Sequence, residues 1–101
     1  MNKYTLKLYI SGQTPRSERA IANLRRVCEE RMSGQCEMVI IDILERPQLA
    51  EDERILATPM LVKQLPPPVR RIIGDLSNID HVMRELNLPP RVDSEQKGDV
   101  I

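Results

Sequence analysis

The stretch "ILATPMLVKQLPPPVRRIIGDLSN", residues 55–78, decides how this chain folds. It holds two short apolar runs, 60–65 and 69–74, with Pro66, Pro67 and Pro68 between them and Thr58-Pro59 in front. Proline has no amide hydrogen to give to a sheet ladder, so three in a row form a turn and belong to neither strand. The stretch is therefore a hairpin. On the second strand Arg70 and Arg71 point to opposite faces, and Lys63 sits across the hairpin from them.

Working outward, residues 79–86 carry Ile79, Val82, Met83 and Leu86 at helical spacing, with Ser77 or Asn78 as the cap and Pro89-Pro90 as the stop. His81 falls on the solvated side of that helix. Upstream, Tyr4, Leu6, Leu8 and Ile10 alternate with Thr5, Lys7 and Tyr9, the period of a strand. "SGQTP" breaks it, Thr14 caps the next helix and Pro15 opens it. In residues 15–32 an apolar stripe of Ile21, Leu24, Cys28 and Met32 faces inward, opposite Arg16, Arg19, Asn23, Arg26 and Glu30. Gly34 ends the helix. The run Met38-Val39-Ile40-Ile41 in residues 36–44 reads as a strand covered on both faces. "ERPQLAEDERIL" is a short helix opened by Pro47, with Glu51, Asp52 and Glu53 in water.

The resulting order, βαβαββα, is that of thioredoxin, and Thr58-Pro59 stands where thioredoxin-like proteins carry a cis-proline. Residues 1–90 form one domain, and the polar residues 91–101 read as a loose tail.

Composition narrows the function. The chain has 101 residues, enough for one modest core, and fifteen basic residues balance fifteen acidic ones. No global charge draws it to nucleic acid or to an anionic membrane. It has no apolar run near the roughly 20 residues of a membrane span and no signal peptide, so the expected location is the cytoplasm. Two tyrosines and no Trp or Phe leave an aliphatic core filled by Met, and offer few platforms for stacking RNA bases. Cys28 and Cys36 are eight apart, neither a redox motif nor a zinc pair, and are read as two small buried hydrophobes.

Catalytic groups are missing from the places that would need them. Thioredoxin chemistry requires Cys-x-x-Cys after the first strand, where this chain reads "SGQTPRSE". A glutathione transferase-like use of Ser11, Thr14 or Ser17 would need a second domain. His81 is the only histidine, which leaves no His cluster for a metal and no Ser-His or Cys-His pair. The glycines form no phosphate-cradling loop. No cofactor is expected.

The segments "LKLYISGQTP", "DILERPQLAEDERILATP" and "LPPPVRRIIGDLSN" closely resemble the KaiB family of the cyanobacterial circadian clock, over residues 4–83. The resemblance implies a protein without catalytic activity that binds the N-terminal (CI) tier of the hexameric KaiC ATPase, helps sequester KaiA and promotes the dephosphorylating phase. It assigns KaiC contact to Arg19, Lys63, Arg70 and Arg71, with Arg16 and Asn23 beside them. It also implies two folds, a tetramer of order βαββααβ and a thioredoxin-like monomer that binds KaiC. They differ in the second half of the chain, where Thr58, Pro59, Pro66, Pro67 and Pro68 act as the joint.

Departures from the family bear on which fold is favoured. Residues 84–89 read "RELNLP" where cyanobacterial relatives usually read "IGLDLL". Glu85 in place of glycine favours helix by roughly 0.5–1 kcal/mol. Asn87 in place of aspartate removes a charge that the helix dipole disfavours there. The monomeric thioredoxin-like fold is therefore expected, with the homotetramer as the alternative. Glu37 and Val39 depart from the family at the edge that pairs with KaiA and with the kinase CikA, which argues against those two partners. SasA is a further partner that the resemblance implies.

Other readings stay open: a KaiB-like partner of a KaiC homologue in stress adaptation, a thioredoxin-like redox or adaptor module, and the sensor domain of a SasA-type kinase. No kinase sequence accompanies the domain, and the hairpin sequence is KaiB-like.

Overall fold

A computed structural model describes residues 4–86. Seven elements follow one another: β1 (Tyr4–Ile10), α1 (Pro15–Arg31), β2 (Cys36–Asp42), α2 (Pro47–Asp52), β3 (Met60–Leu65), β4 (Arg70–Ile73) and α3 (Ile79–Glu85). They form a sheet of order β2-β1-β3-β4. β1 and β2 run parallel, with Leu8 opposite Ile40, while β3 runs antiparallel to both β1 and β4. This is the thioredoxin-like order read from the sequence, not the alternative βαββααβ.

Each face of the sheet has its own core. Leu6, Leu8 and Ile10 of β1, Leu61 of β3 and Ile72 of β4 pack against Ala20, Leu24 and Val27 of α1 and against Val82, Met83 and Leu86 from α3 and its cap. On the other face Tyr9, Ile41, Met60 and Val62 meet Ile55 and the half-buried Leu49 and Ala50 of α2. Strand alternation sends odd and even residues of β3 to different cores.

Local chemistry sets the helix ends. Thr14 takes extended backbone and accepts a hydrogen bond from the Ser17 amide at 3.0 Å, as its place before Pro15 predicts. Asn78 does the same for α3 through the His81 amide at 3.1 Å. Pro66, Pro67 and Pro68 form the exposed turn between β3 and β4.

Three expectations need correction. β2 is an edge strand with Met38, Val39 and Ile40 only half-buried; the central strands are β1 and β3, and β3 is buried without a break from Met60 to Lys63. A continuous apolar run marks a strand but does not say which neighbour takes the central place. Tyr9, on the face of β1 opposite Leu8, is fully buried beneath α2. The buried stripe of α1 is Ser17, Ala20, Leu24, Val27 and Cys28, which moves Ile21 to the flank. Cys28 and Cys36, read as separate side chains, are joined in a disulfide. Pro89-Pro90, Asn87 and the tail 91–101 lie outside the described residues.

Candidate partner-binding surface

The exposed face of α1 turns three of the six candidate residues toward the loop after β4. Arg19 Nε pairs with Asp75 Oδ2 at 3.1 Å, and Asn23 Nδ2 donates to the Asp75 carbonyl at 2.8 Å. Asp75 Oδ1 also accepts the Ser77 amide at 3.1 Å. Hydrogen bonds from Ser77, and next from Arg19, hold the Asp75 carboxyl below its ordinary range. Arg16 lines an open cavity of about 190 Å³ beside this loop, together with Gly74, Asp75, His81 and Val82. Gly74 sits at φ 120°, where a side chain would be strained, and its amide donates to the Pro59 carbonyl at 2.9 Å. That bond fastens the end of β4 to the residue that opens β3.

The other three candidates lie along the hairpin. Lys63 and Arg70 are direct cross-strand partners, and Val62 pairs with Arg71. Lys63 and Arg70 share the face of Leu61 and Ile72. Two like charges directly opposite each other repel, and Lys63 is only 2 % exposed. Burial, and secondarily the charge of Arg70, pushes the Lys63 ammonium below the usual lysine range.

Arg71 points the other way and is not a free surface charge. Its Nη2 donates to the Glu53 carbonyl at 2.7 Å and its Nη1 to the Arg54 carbonyl at 3.0 Å, at the end of α2. Five guanidinium donors in one plane suit such a double grip on backbone oxygens. Nearby, the Tyr9 hydroxyl is buried without a hydrogen-bond partner among the described residues. Burial first, then Glu53, raises its pKa, and Arg71 opposes the rise.

The six residues therefore fall into three groups: Arg16, Arg19 and Asn23 around the Asp75 loop, Lys63 with Arg70 on the same side of the sheet, and Arg71 on the opposite side. Two features of this surface were missed in the sequence. Asp75 organises the first group through a short hydrogen-bonded turn that its "GDLSN" context signals. Leu65, Val69 and Ile73 stand 54 %, 55 % and 62 % exposed around the triple proline, on the hairpin that carries the edge strand β4. An apolar and basic edge of this kind is what a docking strand presents. Of the residues read as the fold-switch joint, Pro59 is buried after a cis bond to Thr58, Pro66–68 are exposed, and Glu85 closes α3. Among the described residues no group of three or more His, Cys, Asp or Glu could hold a metal ion, and no helix is long and apolar enough to cross a membrane.

The family model described as "KaiB domain" matches residues 7–88. The chain belongs to the KaiB family. It is 52 % identical over 90 residues to the circadian clock protein KaiB3 of a Synechocystis species, covering 89 % of this chain and 88 % of that one. It is 54 % identical over 85 residues to the circadian clock oscillator protein KaiB of Thermostichus vulcanus, covering 84 % and 79 %.

Solved structures with the same fold include the N-terminal domain of SasA from Synechococcus elongatus, at a TM-score of 0.69, 22 % identity and 86 % coverage of both chains. Mitochondrial thioredoxin 3 of Saccharomyces cerevisiae superposes at 0.68 with 16 % identity, covering 87 % of this chain and 81 % of its own. At those identities the likeness is one of architecture. It places this KaiB-family chain in a thioredoxin-like fold.

Proposed function

We propose that this chain is a non-enzymatic circadian clock regulator that binds the CI tier of the KaiC ring, helps sequester KaiA and promotes KaiC dephosphorylation. The observation that carries the reading is the combination of KaiB-family sequence with the thioredoxin-like order, the form the family resemblance links to KaiC binding. In this reading the hairpin edge is the docking strand. Arg70 supplies charge toward an acidic ring surface, with Lys63 buried behind it, and the exposed Val69 and Ile73 supply apolar contact. Arg16, Arg19 and Asn23 extend the surface along α1. Arg71 acts by holding β4 against α2, and so positions the strand that docks.

The same reading makes Thr58, Pro59, Pro66, Pro67 and Pro68 the joint between two folds, with Glu85 stabilising the helical form of α3. The free chain is a monomer in the cytoplasm. Glu37, exposed on the edge strand β2, weakens the KaiA and CikA contacts made there, and SasA is a further partner.

The test is to mix the protein with a nucleotide-loaded KaiC hexamer and follow mass by size-exclusion with light scattering. A free monomer that joins the ring promptly supports both function and fold state. A free tetramer that joins over hours keeps the function and overturns the monomer. No association in any nucleotide state overturns the KaiC reading.

A further inference from the structure

Cys28 and Cys36 are the only cysteines in the chain, and the structure brings them together with a Cα–Cα separation of 6.1 Å. That lies inside the range a disulfide spans without backbone movement. The approach is a product of the turn between α1 and β2. Ser33 and Gly34 both take left-handed backbone, at φ 53° and 71°. The Met32 and Gly34 amides both fold back to the Cys28 carbonyl, at 3.2 and 2.9 Å. The helix end and the strand start are thereby set side by side whether or not the sulfurs are bonded.

The two sulfurs differ in access. Cys28 is 7 % exposed, while Cys36 is half-buried at the first position of the edge strand. Cys36 lies opposite Tyr4, and the Tyr4 amide donates to the Gln35 carbonyl at 3.1 Å. β2 has a strand on one side only, so its first residues are held by this ladder and by the partly buried packing of Cys36 and Met38 against the core.

We propose that Cys28 and Cys36 form a reversible dithiol–disulfide modification site whose oxidation pins the start of edge strand β2 to the end of α1. The oxidant is a low-molecular-weight disulfide such as oxidised glutathione. The Cys36 thiol loses its proton to water, and the thiolate attacks one glutathione sulfur, breaking that S–S bond and releasing one glutathione thiolate. The Cys28 thiolate then attacks the Cys36 sulfur of the mixed disulfide and releases the second glutathione. One protein dithiol is oxidised and one glutathione disulfide is reduced to two thiols. The reverse exchange frees the strand. This site is independent of the KaiC reading, since it concerns the α1–β2 connection and not the hairpin.

The experiment equilibrates the full chain in glutathione buffers of graded oxidised-to-reduced ratio, quenches with acid, alkylates free thiols and measures intact mass. Expected is a switch from two alkyl groups to none at one defined ratio, with the tryptic peptide containing Cys28 joined to that containing Cys36. Amide hydrogen exchange of residues 36–40 is then about tenfold slower in the oxidised form. Cys28→Ala and Cys36→Ala each exchange at the reduced rate in both buffers.

Two free thiols at every ratio, a stable glutathione adduct on Cys36, or a link between two chains would each overturn the proposal. So would an internal bond that leaves exchange in β2 unchanged.

Discussion

Between Tyr4 and Asp42 the chain is held by apolar surface and a continuous parallel ladder; between Pro47 and Glu85 the buried strand β3 and the inner face of α3 join the same cores, but β4 and the loops around it are fastened largely by polar grips. In the first half β1 and β2 pair along their full length, and Leu6, Leu8, Ala20, Leu24 and Val27 are buried in one core. In the second half α2 is six residues long with none buried, and β4 contributes a single buried side chain, Ile72. Arg71 grips the carbonyls of Glu53 and Arg54, Asn23 and Arg19 hold Asp75, and the Gly74 amide reaches Pro59.

The difference has an energetic meaning. Burying a leucine side chain stabilises by roughly 1.5–3 kcal/mol, whereas a net hydrogen bond contributes about 1 kcal/mol and less when water can replace it. Local opening therefore favours α2, β4 and their loops over the rest of the sheet. They lie in the half in which the family resemblance places the change between two folds. The surface proposed for docking lies on the part of the molecule that is least firmly held.

The largest expected effect breaks the comparison from the strong side. Leu24→Ala leaves a cavity at a fully buried site and costs about 3 kcal/mol, read as a lower urea midpoint with both halves lost together.

Next comes Lys63→Met, which replaces a buried ammonium with a side chain of similar length and stabilises the fold by about 1–2 kcal/mol. The pH dependence follows from the depressed lysine pKa. Above that depressed value the folded chain releases a proton that the unfolded chain keeps until about 10.5, so wild-type stability rises with pH across this window. In Lys63→Met that rise is absent, as thermal melts between neutral and alkaline pH will read.

The neighbouring arginines sharpen the comparison within two residues. Arg71→Ala loses both carbonyl grips and costs about 1 kcal/mol, with faster hydrogen exchange concentrated in β4 and the end of α2. Arg70→Ala, with its side chain in water, stays within about 0.5 kcal/mol of wild type.

The smallest effect is expected at Asp75. Its folded pKa lies below the ordinary value, so its contribution is complete above the unfolded pKa and fades as pH falls through the folded one. Asp75→Asn removes that acid-side slope, which melts below pH 4 will detect.

Much of this was legible in the residues. The proline block fixed the hairpin turn, alternation in residues 4–10 fixed β1, and Thr14 before Pro15 fixed the start of α1. The opposite directions of Arg70 and Arg71 followed from strand geometry alone. What Arg71 grips did not, because the carbonyls of Glu53 and Arg54 carry no side-chain signature and are brought to it only by tertiary folding.

The same holds for β2. Its apolar run is intrinsic, but its place at the edge depends on β3 taking the other side of β1. The cysteine pair escaped notice because a spacing of eight means nothing until two left-handed residues fold the chain back between them. Asp75 was hidden by its ordinary appearance in a polar turn.

The most direct test of the account is the backbone conformation of residues 60–85 in the free protein, read by NMR at neutral pH. The account predicts cross-strand contacts between Val62 and Arg71 and between Met60 and Ile73, with helical shifts confined to 79–85 in this segment. Helical shifts and sequential amide contacts running through residues 60–73, with residues 79–85 extended, would contradict it. They would mean that the contacts of the second half do not hold the thioredoxin-like fold in solution.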